Sequence, residues 1–112
     1  MKKFHIIKWV IFFMMSSINI HDFLKLSENI NIIDIRNKEK YNSNHIKNAI
    51  NIPYNILLMS PEKYISKEKK YYIYCQKGLS SYNICRILSN LGYKVINING
   101  GYESYIMNKG NH

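Results

Sequence analysis

Apolar residues along the chain fall into short clusters with two different spacings. Runs rich in Ile, Tyr and Val are typical of buried strands, whereas the segments between them carry apolar residues at helical spacing. The predicted strands are 30–35, 71–74 and 95–98, with short extended pieces at 18–20 and 50–53, and the predicted helices are 22–27, 54–64 (broken by Pro61), 79–91 and 102–107. Because strands and helices alternate, we expect an α/β fold, with a small, mostly parallel sheet flanked by helices on both faces.

The longest predicted helix, 79–91, has a clear apolar face. Its apolar residues recur at helical spacing, which predicts that this face is part of the core; they are Ile84, Ile87, Leu88 and Leu91. Gly92 follows at the position where a helix C-cap is expected. By contrast, the polar and Asn-rich stretch 37–48 shows no such periodicity and is assigned to neither a helix nor a strand.

The first fifteen residues form a separate segment, in which two lysines precede a mostly apolar run interrupted by Lys8. The unbroken run 9–15 is much shorter than the ~20 apolar residues that span a bilayer. It is at the short limit for a signal peptide and lacks a good cleavage site, so a membrane-surface helix or a packed element is favoured over secretion.

We divide the chain into this segment (1–15), a domain (16–107) and a tail (108–112). We expect a cytoplasmic location, with export or membrane-peripheral attachment through 1–15 as the alternative.

Composition and charge restrict the classes of function. A chain of 112 residues has room for one domain. The formal net charge is +9, but all except two of the 16 basic residues are lysines. The charge therefore reflects a compositional bias, and no specific nucleic-acid partner is expected. The two cysteines, Cys75 and Cys85, match neither a CxxC redox pair nor a zinc-ligand pattern.

Cys75 is the strongest candidate for chemistry. It follows strand 71–74 and precedes helix 79–91, at the edge where open α/β sheets place their binding sites. In the loop CQKGLS, Gly78 permits positive φ and Lys77 adds positive charge, so the loop can aim backbone N–H groups at an anion. The helix N-terminus favours a thiolate there, which predicts a nucleophile for an anionic partner. From composition alone, a small buried apolar Cys75 is an equal alternative.

Three separated segments match the motifs of one known family. The first is IDIR at 33–36, in place of the family's DVR, followed by HIKNAINIP at 45–53, which the family writes as GHIxGAxNIP. The second is CQKGLSS at 75–81, which matches the active-site pattern CxxGx[R/S]S. The third is LGYKV at 91–95 with GGYESY at 100–105, similar to LGYxV and GGxxxW. In this order and spacing, the segments resemble the rhodanese-type single-domain sulfurtransferases.

The resemblance implies a rhodanese-like fold and a double-displacement transfer of sulfane sulfur. Cys75 would be the catalytic nucleophile, taking a sulfur from thiosulfate or a similar donor and carrying it as a persulfide. The acceptor would be cyanide, a thiol or a protein. Neither a metal nor an organic cofactor is implied. The substrate-binding residues that it implies are those of the loop: Gln76, Lys77, Gly78, Leu79, Ser80 and Ser81.

Four further residues have a structural and a functional interpretation. Asp34 and Arg36 stand at a strand end beside the loop, where they either support the loop or form a structural ion pair between elements, and we favour the second. His45 lies in the HI motif of the family and is expected to be a structural hydrogen-bonding residue. Cys85 is expected to be a partly buried helix residue rather than a resolving thiol.

The chain departs from the family pattern at several positions. Two family glycines are Asn44 and Asn48, and Asn is the non-glycine residue that best tolerates left-handed backbone. Tyr105 replaces a Trp. Ser80 stands where many relatives carry an arginine, so Lys77 and the loop amides must hold an anion without that guanidinium.

Two other functions compete with sulfur transfer by a free-standing enzyme. A phosphatase or arsenate reductase of the same broad architecture needs an arginine six residues after its cysteine, where this chain has Ser81. A non-catalytic rhodanese-like module, which binds a protein or carries sulfur, is the stronger alternative. Cys75 argues against an inert module, but it does not separate a thiosulfate enzyme from a persulfide relay.

Overall fold

The computed structural model of the protein describes residues 16–26 and 29–109. The apolar segment 1–15 and the last three residues of the expected tail lie outside the described residues. The elements are β1 (Ser16–Ile18), α1 (Ile20–Leu24), β2 (Asn31–Asp34), α2 (Lys38–Ser43), β3 (Ile50–Asn51), α3 (Tyr54–Met59), a 3-10 turn (Pro61–Lys63), β4 (Lys70–Tyr74), α4 (Leu79–Asn90), β5 (Lys94–Ile98) and α5 (Gly101–Lys109). Among these helices, none is long and apolar enough to cross a membrane.

The five strands form one parallel sheet in the order β1-β5-β4-β2-β3. The register is set at the centre, where Ile73 of β4 lies between Ile33 of β2 and Asn97 of β5. Since all strands run the same way, their carboxyl ends meet at one edge. That edge brings together the residues that follow β2, β4 and β5, and β4 is its central strand.

Each face of the sheet is covered by helices, as the alternation of elements predicts. Ile33, Ile73 and Val95 face one side, where they pack against α3 and α4. Ile32, Tyr72, Tyr74 and Ile98 face the other side, where they pack against α1 and α5. Because both faces of the sheet are buried, the strand sequences are nearly continuous apolar runs and do not alternate between apolar and polar residues. The predicted α/β fold with helices on both faces is confirmed.

Several details differ from the prediction. The stretch 37–48 contains α2, which starts at an N-cap: the Asn37 side chain accepts a hydrogen bond of 2.9 Å from the Lys40 N–H. This helix was missed because it buries no residue and so has no apolar periodicity. Leu91, expected in the core, is 52% exposed because α4 ends at Asn90. The last helix continues through Lys109, two residues beyond the predicted end of the domain.

Candidate active site

Cys75 lies at the carboxyl end of the central strand, directly after β4, where it begins the Cys75 loop (residues 75–81). Its side chain faces the α3–α4 side of the sheet and only 6% of the residue is exposed. The loop runs directly into the first turn of α4. Cys75 is therefore packed at the edge of the core with its sulfur at the beginning of a helix.

Backbone N–H groups of the loop converge on the sulfur of Cys75. The Gly78 N–H donates to Sγ at 3.1 Å, and the Ser81 N–H donates at 3.3 Å. The Ser81 hydroxyl lies 3.3 Å from Sγ and accepts from the thiol, and Ser81 is fully buried. A hydroxyl can turn its proton toward a thiolate, so three donors would surround the ionised sulfur.

Other N–H groups of the loop have no acceptor. Within the described part of the chain, the N–H groups of Lys77, Leu79 and Ser80 donate no hydrogen bond. Orphan donors are normal in the first turn of a helix, and they make it an anion-binding site. The side chains of these three residues are exposed, with Leu79 79% exposed. The expected convergence of loop amides is thus present for two of them, and further amides are free to bind an anion.

The loop keeps this shape because two glycines allow its backbone to turn and to pack closely. Gly78 has φ +98°, a positive value that residues with a Cβ rarely adopt, as expected for the glycine of this loop. Gly101 begins α5 at φ +60°, and a Cβ there would lie 2.4 Å from the carbonyl oxygen of Cys75. The next two N–H groups of α5 hold the loop: Tyr102 donates to the Cys75 carbonyl at 2.9 Å and Glu103 to the Gln76 carbonyl at 3.1 Å. With its carbonyls held outward by α5, the loop can direct its amides inward.

Asp34 and Arg36 form a buried ion pair that also reaches the loop. Arg36 Nη2 lies 2.8 Å from Asp34 Oδ2, and Arg36 Nη1 donates to Gln76 Oε1 at 3.1 Å. Burial disfavours the guanidinium charge, but hydrogen bonds and attraction to Asp34 outweigh it and raise the pKa of Arg36. The pair therefore combines the two roles considered from the sequence, because it joins elements and also contacts a loop side chain.

Two tyrosines complete this support, and the sequence analysis did not recognise them. The Tyr74 hydroxyl donates to Asp34 Oδ2 at 2.6 Å and accepts from the Ile46 N–H at 3.0 Å. Burial, together with the hydrogen bond to Asp34, raises the pKa of Tyr74. The guanidinium of Arg36 lies over the Tyr102 ring at 4.2 Å. The place of Tyr74 in the sequence could have identified it. Tyr74 immediately precedes Cys75, so in a strand its side chain must point to the opposite face of the sheet from that of Cys75.

Asn44, His45 and Asn48 follow α2, and the first of them contacts the ion pair. Asn48 has φ +72°, so here Asn does replace a glycine in left-handed backbone. Asn44 differs from that expectation: its backbone is extended, at φ −171°, and its carbonyl accepts from Arg36 Nη2 at 2.6 Å. His45 stacks on Tyr41 and its Nδ1 lies 2.9 Å from the Tyr41 carbonyl oxygen, in agreement with the predicted structural role.

Cys85 has a different environment from Cys75. It lies inside α4 with no exposed surface, in the apolar cluster between that helix and the sheet. Burial, with a smaller effect of the Cys75 charge, raises the pKa of Cys85 to about 12. It is more deeply buried than the partial burial expected from the sequence. Among the residues that the structure describes, no three His, Cys, Asp or Glu side chains are grouped to hold a metal ion.

Comparison with known proteins identifies the family. The sequence profile of the rhodanese-like domain matches residues 19–108. The Bacillus subtilis protein YtwF is 30% identical over 84 residues, which make up 73% of this chain and 79% of YtwF. The thiosulfate sulfurtransferase GlpE of Coxiella burnetii is 35% identical over 75 residues, covering 66% of this chain and 69% of GlpE.

The fold agrees with these sequence relationships. A crystal structure of a rhodanese-related protein from Thermoplasma volcanium superposes with a TM-score of 0.74 at 30% identity, covering 82% of this chain and 91% of that one. The resemblance carried by the three sequence segments is confirmed, and the chain belongs to the rhodanese-like sulfurtransferase family.

Proposed function

We propose that this protein is a thiosulfate sulfurtransferase that carries sulfur on Cys75. The observation that carries the proposal is the position of Cys75 Sγ, which accepts from the N–H groups of Gly78 and Ser81 in a loop with further unpaired N–H groups. Such a site stabilises a sulfur anion without a metal or a dedicated base. The naming of one relative as a thiosulfate sulfurtransferase supports the same choice of donor.

In the first half-reaction, the Cys75 thiolate attacks the outer sulfur of thiosulfate. A bond forms between Sγ and that sulfur, and the S–S bond of thiosulfate breaks. The bonding electron pair leaves with sulfite, and the enzyme is left with a Cys75 persulfide anion. No net oxidation occurs, because one S–S bond replaces another. The free N–H groups of Lys77, Leu79 and Ser80 are the donors that we assign to the incoming anion.

In the second half-reaction, a thiophilic acceptor attacks the outer sulfur of the persulfide. The S–S bond breaks, and its electron pair returns to Sγ, which is again held as a thiolate by Gly78 and Ser81. Cyanide would give thiocyanate, and a thiol would give a new persulfide. The same loop N–H groups can therefore serve in both half-reactions.

The proposal is tested by the mass of the intact protein after incubation with thiosulfate. We expect the wild-type protein to gain one sulfur atom and a Cys75→Ala variant to gain none. A reducing thiol should remove the added sulfur, because a persulfide is reducible and a sulfinic acid is not. If the wild type gains no sulfur while Cys75 is still alkylated by iodoacetamide, thiosulfate is not the donor.

The mass measurement and an assay of thiocyanate formation together separate the enzyme from a protein-binding module or a persulfide relay of the same fold. A module that only binds a partner would not form an adduct with a small inorganic donor. A persulfide relay would form the adduct but would require a protein acceptor, so thiocyanate would not accumulate with cyanide alone. Saturable thiocyanate formation from thiosulfate and cyanide is therefore the result expected for the enzyme.

A further inference from the structure

The edge of the sheet opposite Cys75, where the strands begin, carries a cluster of exposed lysines that we call the amino-edge lysines. Two are the first residues of β4 and β5 and are partners in neighbouring strands, and two come from the turn before β4; they are Lys70, Lys94, Lys67 and Lys69. Among the residues that the structure describes, none of the four forms an ion pair, and Glu68 of the same turn accepts from the Ser66 hydroxyl instead. Like charges on neighbouring strands repel each other and reduce stability. The fold itself therefore does not explain the cluster, which favours an anionic partner.

A cleft opens at this edge, between the beginnings of β4 and β5 and the end of α4. Its volume is about 410 Å³, and its lining includes Lys70, Lys94, Ser89 and Tyr93. Tyr93 is 9% exposed and Ser89 is 8% exposed, and within the described part of the chain neither hydroxyl has a hydrogen-bond partner. Ammonium groups and hydroxyls are donors that phosphate oxygens accept. The cleft therefore has free donors for a phosphate group.

The chain enters the sheet at the same edge. Ser16 is the first residue of β1, which runs parallel to β5, and it also lines the cleft. Segment 1–15 therefore joins the domain beside the cleft and the amino-edge lysines. The segment contains three lysines and the apolar run 9–15, which includes Trp9. Large apolar residues together with lysines are typical of segments that bind an anionic membrane surface.

We propose that the protein binds an anionic phospholipid surface through the amino edge of its sheet, with segment 1–15 lying among the headgroups. A short apolar segment binds a membrane stably only when a second signal is present, and the amino-edge lysines supply that signal. The edge contributes four lysines and the segment three, and each lysine close to an anionic surface strengthens binding about fivefold. Cys75, at the carboxyl edge, would then face the aqueous phase. The inference does not depend on the proposed function.

The test measures binding of the protein to vesicles of phosphatidylcholine, with and without phosphatidylglycerol. We expect co-sedimentation with the anionic vesicles only, and added salt should weaken it. Lys70→Gln combined with Lys94→Gln should lower the partition coefficient about 25-fold, from about fivefold for each lysine. Lys38→Gln combined with Lys40→Gln is the matched control, because both residues are exposed in α2, which follows β2 at the carboxyl edge. It makes the same change in net charge at the far edge and should leave the partition coefficient nearly unchanged.

Fluorescence of Trp9 tests the role of the segment, because it is the only tryptophan in the chain. Anionic vesicles should shift its emission to the blue as the indole enters the interface. Iodoacetamide should alkylate Cys75 equally fast with and without vesicles, and slower alkylation would contradict the orientation.

Three results would overturn the inference. Blue emission that vesicles do not change would mean that segment 1–15 packs on the domain. Equal binding to neutral vesicles, or equal effects of the two double variants, would mean that the amino-edge lysines do not recognise the surface. Displacement from vesicles by glycerol phosphate at constant ionic strength would assign the cleft to a soluble phosphate compound.

Discussion

The two cysteines of this protein are both buried, yet their surroundings differ in the property that controls reactivity. Cys75 is 6% exposed and its sulfur accepts from two loop N–H groups. Cys85 has no exposed surface and lies one helix turn beyond Ser81 in an apolar cluster, where burial raises its pKa to about 12. Burial alone therefore does not distinguish the thiol that we propose as the nucleophile from the inner thiol of α4. The difference comes from the donors that a loop and a helix N-terminus supply and a helix interior cannot.

The largest effect expected from this difference is on turnover. Replacing Cys75 with Ala should lower thiocyanate formation from thiosulfate and cyanide by at least about 10³-fold, because the nucleophile is lost. Cys85→Ala removes a thiol of equal size from the same core cluster and should leave turnover near the wild-type rate, with a lower thermal midpoint. Steady-state assays and thermal unfolding of both variants check this. Loss of turnover in folded Cys85→Ala would mean that the inner thiol takes part in the reaction.

The next effect concerns the packing that keeps the donors around Cys75. Gly101→Ala would place a Cβ 2.4 Å from the Cys75 carbonyl oxygen, so the loop has to move. Since a displacement of about 1 Å can cost 10²-fold in rate, we expect a loss of that order in sulfur transfer. Gly92→Ala is the matched control: its φ is also positive, at +97°, but the nearest atoms to the new Cβ would belong to the flexible Lys67 side chain, at 3.7 Å. Both variants should lose stability, measured by denaturant unfolding, and only Gly101→Ala should lose the rate of persulfide formation.

Equal loss of that rate in the two glycine variants would show that general destabilisation is enough. The close contact between Gly101 and the loop would then not be what sets the position of Cys75. In that case the difference between the two cysteines would depend on the donors within the loop and not on α5.

How far the sequence predicts this site depends on which contacts are local. Cys75, Gly78 and the helix that follows are close together in the chain, so the sequence predicts a loop of converging amides there. From the residues alone a small buried apolar Cys75 is an equal alternative, and the family resemblance favours the loop site. The ion pair between Asp34 and Arg36 was also predicted, because the two residues are close in sequence. Its contacts to Gln76 and Tyr102 were not, since they depend on how β2, β4 and α5 come together at the sheet edge.

Helix α2 shows that prediction from sequence is limited for secondary structure as well. Its residues have no apolar periodicity, because nothing in it is buried, and its start depends on a single side-chain cap by Asn37. Likewise, Leu91 continues the spacing of the α4 core face but lies just past the end of the helix, so it is exposed. Periodicity predicts which face is buried, and it does not predict where that burial ends.

A smaller effect is expected from the hydroxyl beside Cys75. Ser81→Ala keeps the N–H that donates to Sγ and removes the Oγ contact of 3.3 Å. The loss of one hydrogen bond to the ionised sulfur, about 1.5 kcal/mol, corresponds to about tenfold slower persulfide formation. Ser89→Ala is the matched control, because Ser89 is a second buried serine of α4 at the far end of the helix. Stopped-flow sulfite release measures the rate, and an equal slowing by both substitutions would assign the effect to helix stability.

The last effect expected is on stability and not on the rate of sulfur transfer, and it is the pH dependence due to Cys85. The unfolded thiol loses its proton at its ordinary pKa, whereas the folded one keeps it up to about 12. Between these values the folded state binds more protons, so the stabilising contribution of Cys85 is complete at neutral pH and declines as the pH rises. The difference in free energy of unfolding between wild type and Cys85→Ala should therefore shrink from about pH 7 to about pH 10, in denaturant titrations with reductant present.

Tyrosine titration affects both proteins equally and cancels in this difference. The corresponding difference for Ser89→Ala, which removes no titratable group, should stay constant. A constant difference for Cys85→Ala as well would mean that the inner thiol is no harder to ionise than an exposed one, and its burial would then not explain why Cys85 and Cys75 differ.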